Sequence, residues 1–212
     1  DLPDGGAQLS ALLTPQGKIL CDFILFDDGE GGLLIDAPAS EVDALIKRFS
    51  LYRMRADAEI IKRDDLAAAA AKGAGEAELN AVALAAAPDP RNPAVGLRAI
   101  IQAGTPQPDD AAYHIARIAA GVPEFGTDYG PAEVFSTDVN HDLMGGIDYR
   151  KGCFVGQEVA SRMHRKGGVR KRTVKLAVEA APEPGAEVKA GETPVGAVTS
   201  SAGSAALALV RV

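Results

Sequence analysis

Apolar residues recur along this chain with the period of a strand in some stretches and of a helix in others, and the switches divide it into elements. Ile19-Leu-Cys-Asp-Phe-Ile-Leu-Phe26 is almost continuously apolar, the pattern of a largely buried strand. The turn-forming Asp27-Asp-Gly-Glu-Gly-Gly32 and a second run, Leu33-Leu-Ile35, complete a hairpin. Ser40-Glu-Val-Asp43 has the spacing of a capping box and predicts a helix to about Phe49, with Leu45 and Phe49 on one face and Lys47 and Arg48 away from it. Ala58–Lys62 reads as a strand. Asp64 then heads a helix over Asp65–Lys72, because alanine is the best helix former, and Gly73 ends it. Residues 85–93 hold three prolines, which suit neither a helix nor a central strand, and a domain junction is expected there. Val95–Ile101 reads as a strand. Asp110–Ala120 reads as a helix stopped by Gly121 and Pro123, with Ile115 and Ile118 facing one way together with Ala111 and Ala119. Beyond Arg172, four short strands (Thr173–Val178, Glu187–Lys189, Pro194–Thr199, Ala205–Val212) alternate with Pro and Gly turns, the pattern of a small antiparallel β-barrel or sandwich. The fold class is α+β.

Charge adds a second pattern. The chain carries net −7, yet Arg150–Lys175 holds nine Lys or Arg against the single acid Glu158. Within that stretch lies Lys151-Gly-Cys-Phe-Val-Gly-Gln-Glu158, which sets the thiol of Cys153 between Gly152 and Gly156. Neighbouring cations favour the thiolate, and glycines let the backbone approach a ligand closely. A helix is expected to begin just after Gly156, adding its positive dipole end. Cys21, inside an apolar strand, reads as a buried, unreactive thiol.

Bulk properties exclude several classes. A chain of 212 residues with 47% hydrophobic and 24% charged positions is ordinary for a globular protein of one to three domains. No apolar run is long enough to span a bilayer. The first residues, Asp1-Leu-Pro-Asp-Gly-Gly, have neither a basic end nor an apolar core, so no secretory signal is expected. Two cysteines make no disulfide framework, which points to a reducing, cytoplasmic setting. His114, His141 and His164 are scattered and no C-x-x-C occurs, so no self-contained metal site is expected.

The octapeptide Lys151–Glu158 resembles the signature of the YgfZ family, folate-binding relatives of the glycine-cleavage T protein (aminomethyltransferase) whose mitochondrial members serve iron–sulfur cluster assembly. Leu13-Thr-Pro-Gln-Gly-Lys-Ile-Leu-Cys-Asp22, Leu51-Tyr-Arg-Met-Arg55, Asp89-Pro-Arg91 and Arg117-Ile-Ala-Ala-Gly-Val-Pro123 match further family stretches in order. The resemblance implies a three-domain arrangement like that of the T protein: residues 1–36 plus 94–170 as a discontinuous folate-binding α+β domain, 37–93 as an inserted α+β domain, and 171–212 as a C-terminal β-barrel.

It also implies site residues. A pterin presents an N–H and an exocyclic amine side by side, which one carboxylate accepts as a pair. The family places an acid shortly before the cysteine motif; Asp138 and Asn140 stand there, with Asp142 and Glu133 as substitutes and Ser136 in place of the usual proline. Asp22 matches the second acid of the transferase's paired carboxylates, while Cys21 replaces the first, which argues against aminomethyl transfer. Arg117 is a candidate carboxylate partner, and Arg162 opens a cationic run suited to a polyglutamate tail. Cys153 is the reactive candidate, with Lys151, Gly152, Gly156, Gln157 and Glu158 as its motif; nucleophile, transient cluster ligand and redox contact stay open as its role. The resemblance thus implies a protein that binds tetrahydrofolate or a one-carbon derivative and works with iron–sulfur client or assembly proteins. Alternatives are a folate-dependent one-carbon transferase and a tRNA-modification factor, the latter weakened by having only Phe154 as an aromatic among the basic residues of Arg150–Lys175.

Overall fold

The computed structural model describes residue 2 and residues 6–106, 110–166 and 168–212. The expectation for residues 1–6 falls mostly outside them. The hairpin forms, with a strand ahead of it that the sequence pattern does not announce. β1 (Ala7–Leu13), β2 (Ile19–Asp27) and β3 (Leu33–Asp36) make an antiparallel meander in that order. Side chains alternate along a strand. Ile19, Cys21 and Phe23 therefore share one face of β2, packed with Leu45, Phe125, Tyr129, Val134 and Val139. Asp22, Ile24 and Phe26 share the other, where Ile24 and Phe26 meet Ala87 and Ile100 of a second sheet.

That second sheet is β4 (Leu66–Ala71), β5 (Ala85–Pro88) and β6 (Leu97–Gln102), in the order β4-β6-β5. It corrects the helix expected over Asp65–Lys72. Helix preference is a matter of tenths of a kcal/mol per residue. Pairing with β6 along the whole length of β4, and closure of Ala69 and Ala71 on Ala99, Ile101 and Leu79, outweigh it. Leu79 sits on α2 (Gly75–Val82), an unanticipated helix that the small alanine side chains allow to approach the sheet. The strand expected at Ala58–Lys62 does not form; the stretch is irregular and almost wholly exposed, with no neighbouring strand to pair it. β5 is an edge strand ending at Pro88, the place in a sheet where a proline fits. Because β6 pairs with both β4 and β5, hydrogen bonding is continuous across the junction expected at 93/94.

α1 (Val42–Arg53) follows a 3₁₀ turn at Ala39–Glu41, runs beyond Phe49 and has no side-chain cap. The expected capping box is absent, since Ser40 donates instead to Glu41 Oε1 at 3.3 Å. On α3 (Asp110–Ala119), Ile118 is buried but Ile115 is 52% exposed, so the two do not share one packed face. The packed face runs through Arg117 and Ile118 and leaves Ile115 outside. α4 (Gln157–Lys166) starts just after Gly156, as expected. β7 (Lys171–Ala177), β8 (Glu187–Ala190), β9 (Thr193–Ala202) and β10 (Ala205–Arg211) form the C-terminal antiparallel sheet, in the order β7-β10-β9-β8. α3 packs against β9 and β10. Among the described residues, no helix is long and apolar enough to cross a membrane.

Candidate functional site

A cavity of about 310 Å³ lies beside β2, with apolar walls from Leu9, Ile24, Pro38 and Phe125 and polar ones from Asp22, Asp36, Arg91, Arg98 and Glu124. A second, of about 230 Å³, shares Ala68, Arg98 and Glu124 with it and adds Asp110, Tyr113 and His114 from α3. The parity of β2 explains how the first cavity acquires its acid. Asp22 faces the cavity, whereas Cys21, one residue earlier, points into the opposite core.

Asp22 is held from two sides. The Tyr129 hydroxyl donates to its Oδ2, and His141 Nε2 lies 3.1 Å from the same oxygen. Burial alone would push the carboxyl up; the hydrogen bond and charge of His141, with the bond from Tyr129, overcome this and hold it below the usual carboxylate range. Burial, then the neighbouring Asp22, push the Tyr129 phenol well above its ordinary value, so it stays a donor. Both donors reach Oδ2. Oδ1 meets no donor among the described residues. His141 Nδ1 is buried without a partner.

Two arginines also line the cavity. Arg91 Nε and Nη2 clasp Asp89 at 3.0 and 2.7 Å, and Arg98 Nε donates to Asp36 at 2.6 Å. Both also donate to the Tyr113 hydroxyl, Arg91 Nη2 at 2.8 Å and Arg98 Nη1 at 3.1 Å, and that hydroxyl donates to Glu124. Burial works against the charge of each guanidinium, but Asp89 and Tyr113 hold Arg91, and Asp36 and Tyr113 hold Arg98, firmly protonated. The sequence pattern offered a signal here that went unread: Arg98 is a lone charge inside an apolar strand.

Arg117, the candidate carboxylate partner, engages acids of its own chain. It is 1% exposed, lines neither cavity, and binds Asp128 Oδ2 at 2.7 Å and Glu124 Oε2 at 3.3 Å. Asp128 Oδ1 in turn accepts from the hydroxyls of Thr199 and Ser200 on β9, each at 2.6 Å, so this network ties α3 to the C-terminal sheet. Asp138 also lines neither cavity. It is buried, its Oδ2 accepts from the Phe135 amide at 3.0 Å, and desolvation pushes its carboxyl up. Asn140 joins β7 to the preceding loop through Thr173 O at 2.8 Å and Arg172 Nη1 at 3.1 Å. Arg172 clasps Asp142 with two bonds of 2.9 Å. Arg162 is exposed on α4 and Glu133 caps the Gly130 amide at 2.8 Å. Of the sequence candidates for the folate site, only Asp22 lies at the cavity.

Cys153 is exposed and free, outside both cavities. Its loop is fixed at its far end. Gly156 has φ +82°, and a Cβ there would stand 2.9 Å from both Gly17 Cα and Thr14 O. The cysteine motif and the Thr14–Lys18 turn between β1 and β2 thus meet backbone to backbone, and glycine is required on each side. Phe154 N donates to Gln157 Oε1 at 3.3 Å at the start of α4, and Lys151 sits 4.8 Å over the Phe154 ring. Arg150, Lys151, Arg162, Arg165, Arg170 and Lys171 are exposed. The other thiol, Cys21, is buried; desolvation, with the charges of Asp22 and Glu41, pushes it up to about 12. Among the described residues, no group of three or more His, Cys, Asp or Glu is placed to hold a metal ion.

Residues 170–212 match the CAF17 C-terminal beta-barrel domain. Aminomethyltransferase T of the glycine cleavage system from Bartonella henselae superposes with a TM-score of 0.73 at 18% identity, covering 99% of this chain and 69% of that one. The chain therefore has the α+β fold of that transferase, with the small antiparallel β domain at its C-terminal end. Among curated proteins, it is 32% identical over 190 residues to the mitochondrial iron-sulfur cluster assembly factor IBA57 homolog of Neurospora crassa, covering 77% of this chain and 43% of that protein. It is also 32% identical over 189 residues to human IBA57, covering 80% and 53%. The chain spans about half the length of the curated relatives it matches. These relatives overturn the cytoplasmic expectation: they are named as mitochondrial, which points to the mitochondrion, and the cysteine count behind that expectation distinguishes reducing from oxidising compartments only.

Proposed function

We propose that this chain binds a reduced folate in the cavity at Asp22 and assists the assembly or repair of iron–sulfur clusters in client proteins, with Cys153 as the reactive thiol. One observation carries the reading: the loop bearing the exposed Cys153 is docked on the turn that leads into β2, the strand that carries Asp22. Thiol and cavity are parts of one unit. The names of the IBA57 relatives support the cluster half.

The residues present suit a pterin. Asp22 is held low, and its Oδ1 meets no donor among the described residues, so it is able to accept paired N–H groups; Phe125, Ile24 and Leu9 offer apolar walls to a flat ring. The pterin contact is therefore assigned to Asp22 in place of Asp138, whose carboxylate is turned to its own loop. When bound, a reduced folate supplies a one-carbon carrier. The chain's own part is to orient that ring, exclude water with the apolar walls, and hold the thiol outside.

Calorimetry with tetrahydrofolate tests the ligand, with Asp22→Asn expected to weaken binding at least about tenfold, as removal of a charge-assisted pair should. Cys153→Ala should keep folding and folate affinity while failing to support cluster enzymes in cells depleted of the native protein. Full support by that variant would reject the thiol's role. A one-carbon transferase is the second reading, favoured by the ionised Asp22 at the wall. The buried Cys21, in place of the first acid of the transferase's pair, counts against it.

A further inference from the structure

The cavity carries two guanidiniums that Asp22 leaves without a purpose. A guanidinium has five N–H donors. Arg91 engages Asp89 and Tyr113 through Nε and Nη2 only, and Arg98 engages Asp36 and Tyr113 through Nε and Nη1 only. No acceptor among the described residues meets Arg91 Nη1 or Arg98 Nη2, although both residues are nearly buried and line the cavity.

The charge balance decides what they bind. Asp89 and Asp36 each neutralise one arginine, and Asp22 and Glu124 line the same space, so the site has no excess of positive charge for a carboxylate or phosphate. A carbonyl oxygen asks for N–H donors without net charge. Asp22 and Arg91 line the same cavity, and the guanidinium charge helps hold the Asp22 carboxyl low, so a donor-accepting group and a donor-giving group face one space.

Resting on the folate reading above, we infer that Arg91 and Arg98 form the subsite for the ring carbonyl of the bound heterocycle, beside Asp22, so that the cavity selects a cyclic amide edge: N–H to the acid, C=O to the arginines. The chemical class admitted is an oxo-pterin, and the class refused is its amino counterpart, which would turn an N–H₂ donor toward N–H donors.

The test compares tetrahydrofolate with its 4-amino-4-deoxy analogue on the unmodified protein by calorimetry. The oxo compound should bind at least about tenfold more tightly, the factor expected when a buried donor loses its acceptor. Arg98→Lys keeps a cation for Asp36 but lacks the second guanidinium nitrogen; it should shrink that preference while the melting temperature, read alongside, reports the fold. Equal or tighter binding of the amino compound overturns the subsite, as does a preference that Arg98→Lys leaves unchanged in a folded protein. If neither compound binds, the folate reading itself falls, a result distinct from loss of discrimination.

Discussion

Gly156→Ala should damage this protein where Gly152→Ala does not, although both glycines flank the same cysteine. At Gly156 the backbone has φ +82°, and the new Cβ would lie 2.9 Å from Gly17 Cα and from Thr14 O. A left-handed residue with a Cβ costs roughly 1–2 kcal/mol. Neither contacting atom is able to rotate away, since both are backbone, so relief requires moving the β1–β2 turn or the loop, at roughly 1–3 kcal/mol as for overpacking. The two effects together amount to about 2–5 kcal/mol, a large share of the roughly 5–15 kcal/mol that holds a domain together. At Gly152 the Cβ meets nothing within 4 Å and φ is not left-handed, so a change within about 0.5 kcal/mol is expected. Thermal unfolding measures the difference: Gly156→Ala should lower Tm by at least about 4 °C, on the usual scale of about 2–4 °C per kcal/mol for this size. Hydrogen exchange locates it, with faster exchange confined to Thr14–Lys18 and Phe154–Ala160 if the loop lifts off. Equal Tm and equal exchange for the two variants would refute the glycine-on-glycine contact.

Three further outcomes follow from the same geometry. Brief treatment with iodoacetamide at pH 8 should label Cys153 and spare Cys21, which is buried with its thiol pushed up to about 12; peptide mass spectrometry reads the ratio, and comparable labelling would contradict the placement of Cys21. Asp128→Ala strips the buried Arg117 of its closest partner and frees Thr199 and Ser200, so urea unfolding should show a loss of about 3–5 kcal/mol, whereas a loss below about 1 kcal/mol would mean that the tie between α3 and β9 is not structural. Asp22 has a lowered folded value, so its contribution to stability is present above its unfolded pKa of about 4 and fades as pH falls through the lower folded value. His141→Leu should raise the Asp22 carboxyl and move the acid unfolding midpoint to higher pH, while His141→Gln, which keeps an N–H for Oδ2, should largely restore it; coincident midpoints for all three proteins would show that His141 does not act through Asp22.

Much of the fold is legible in the residues. The hairpin around Asp27–Gly32, α3, the helix that begins beyond Gly156 and the four C-terminal strands each follow from local periodicity and turn residues, because those elements agree with their own propensities. The stretch Leu66–Ala71 could not be read that way: one leucine and five alanines, all good helix formers, become β4 because β6 stands beside them, and pairing is a property of the partner. The site divides along the same line. Residue types announced a thiol within a cationic stretch and an acid on β2, and strand parity alone separates Cys21 from Asp22. What the chain order could not disclose is which distant groups converge. His141 lies far along the chain from Asp22, Arg98 meets Asp36 across two sheets, and Gly17 touches Gly156 through backbone, all because tertiary packing, with no sequence periodicity of its own, decides which side chains share a cavity.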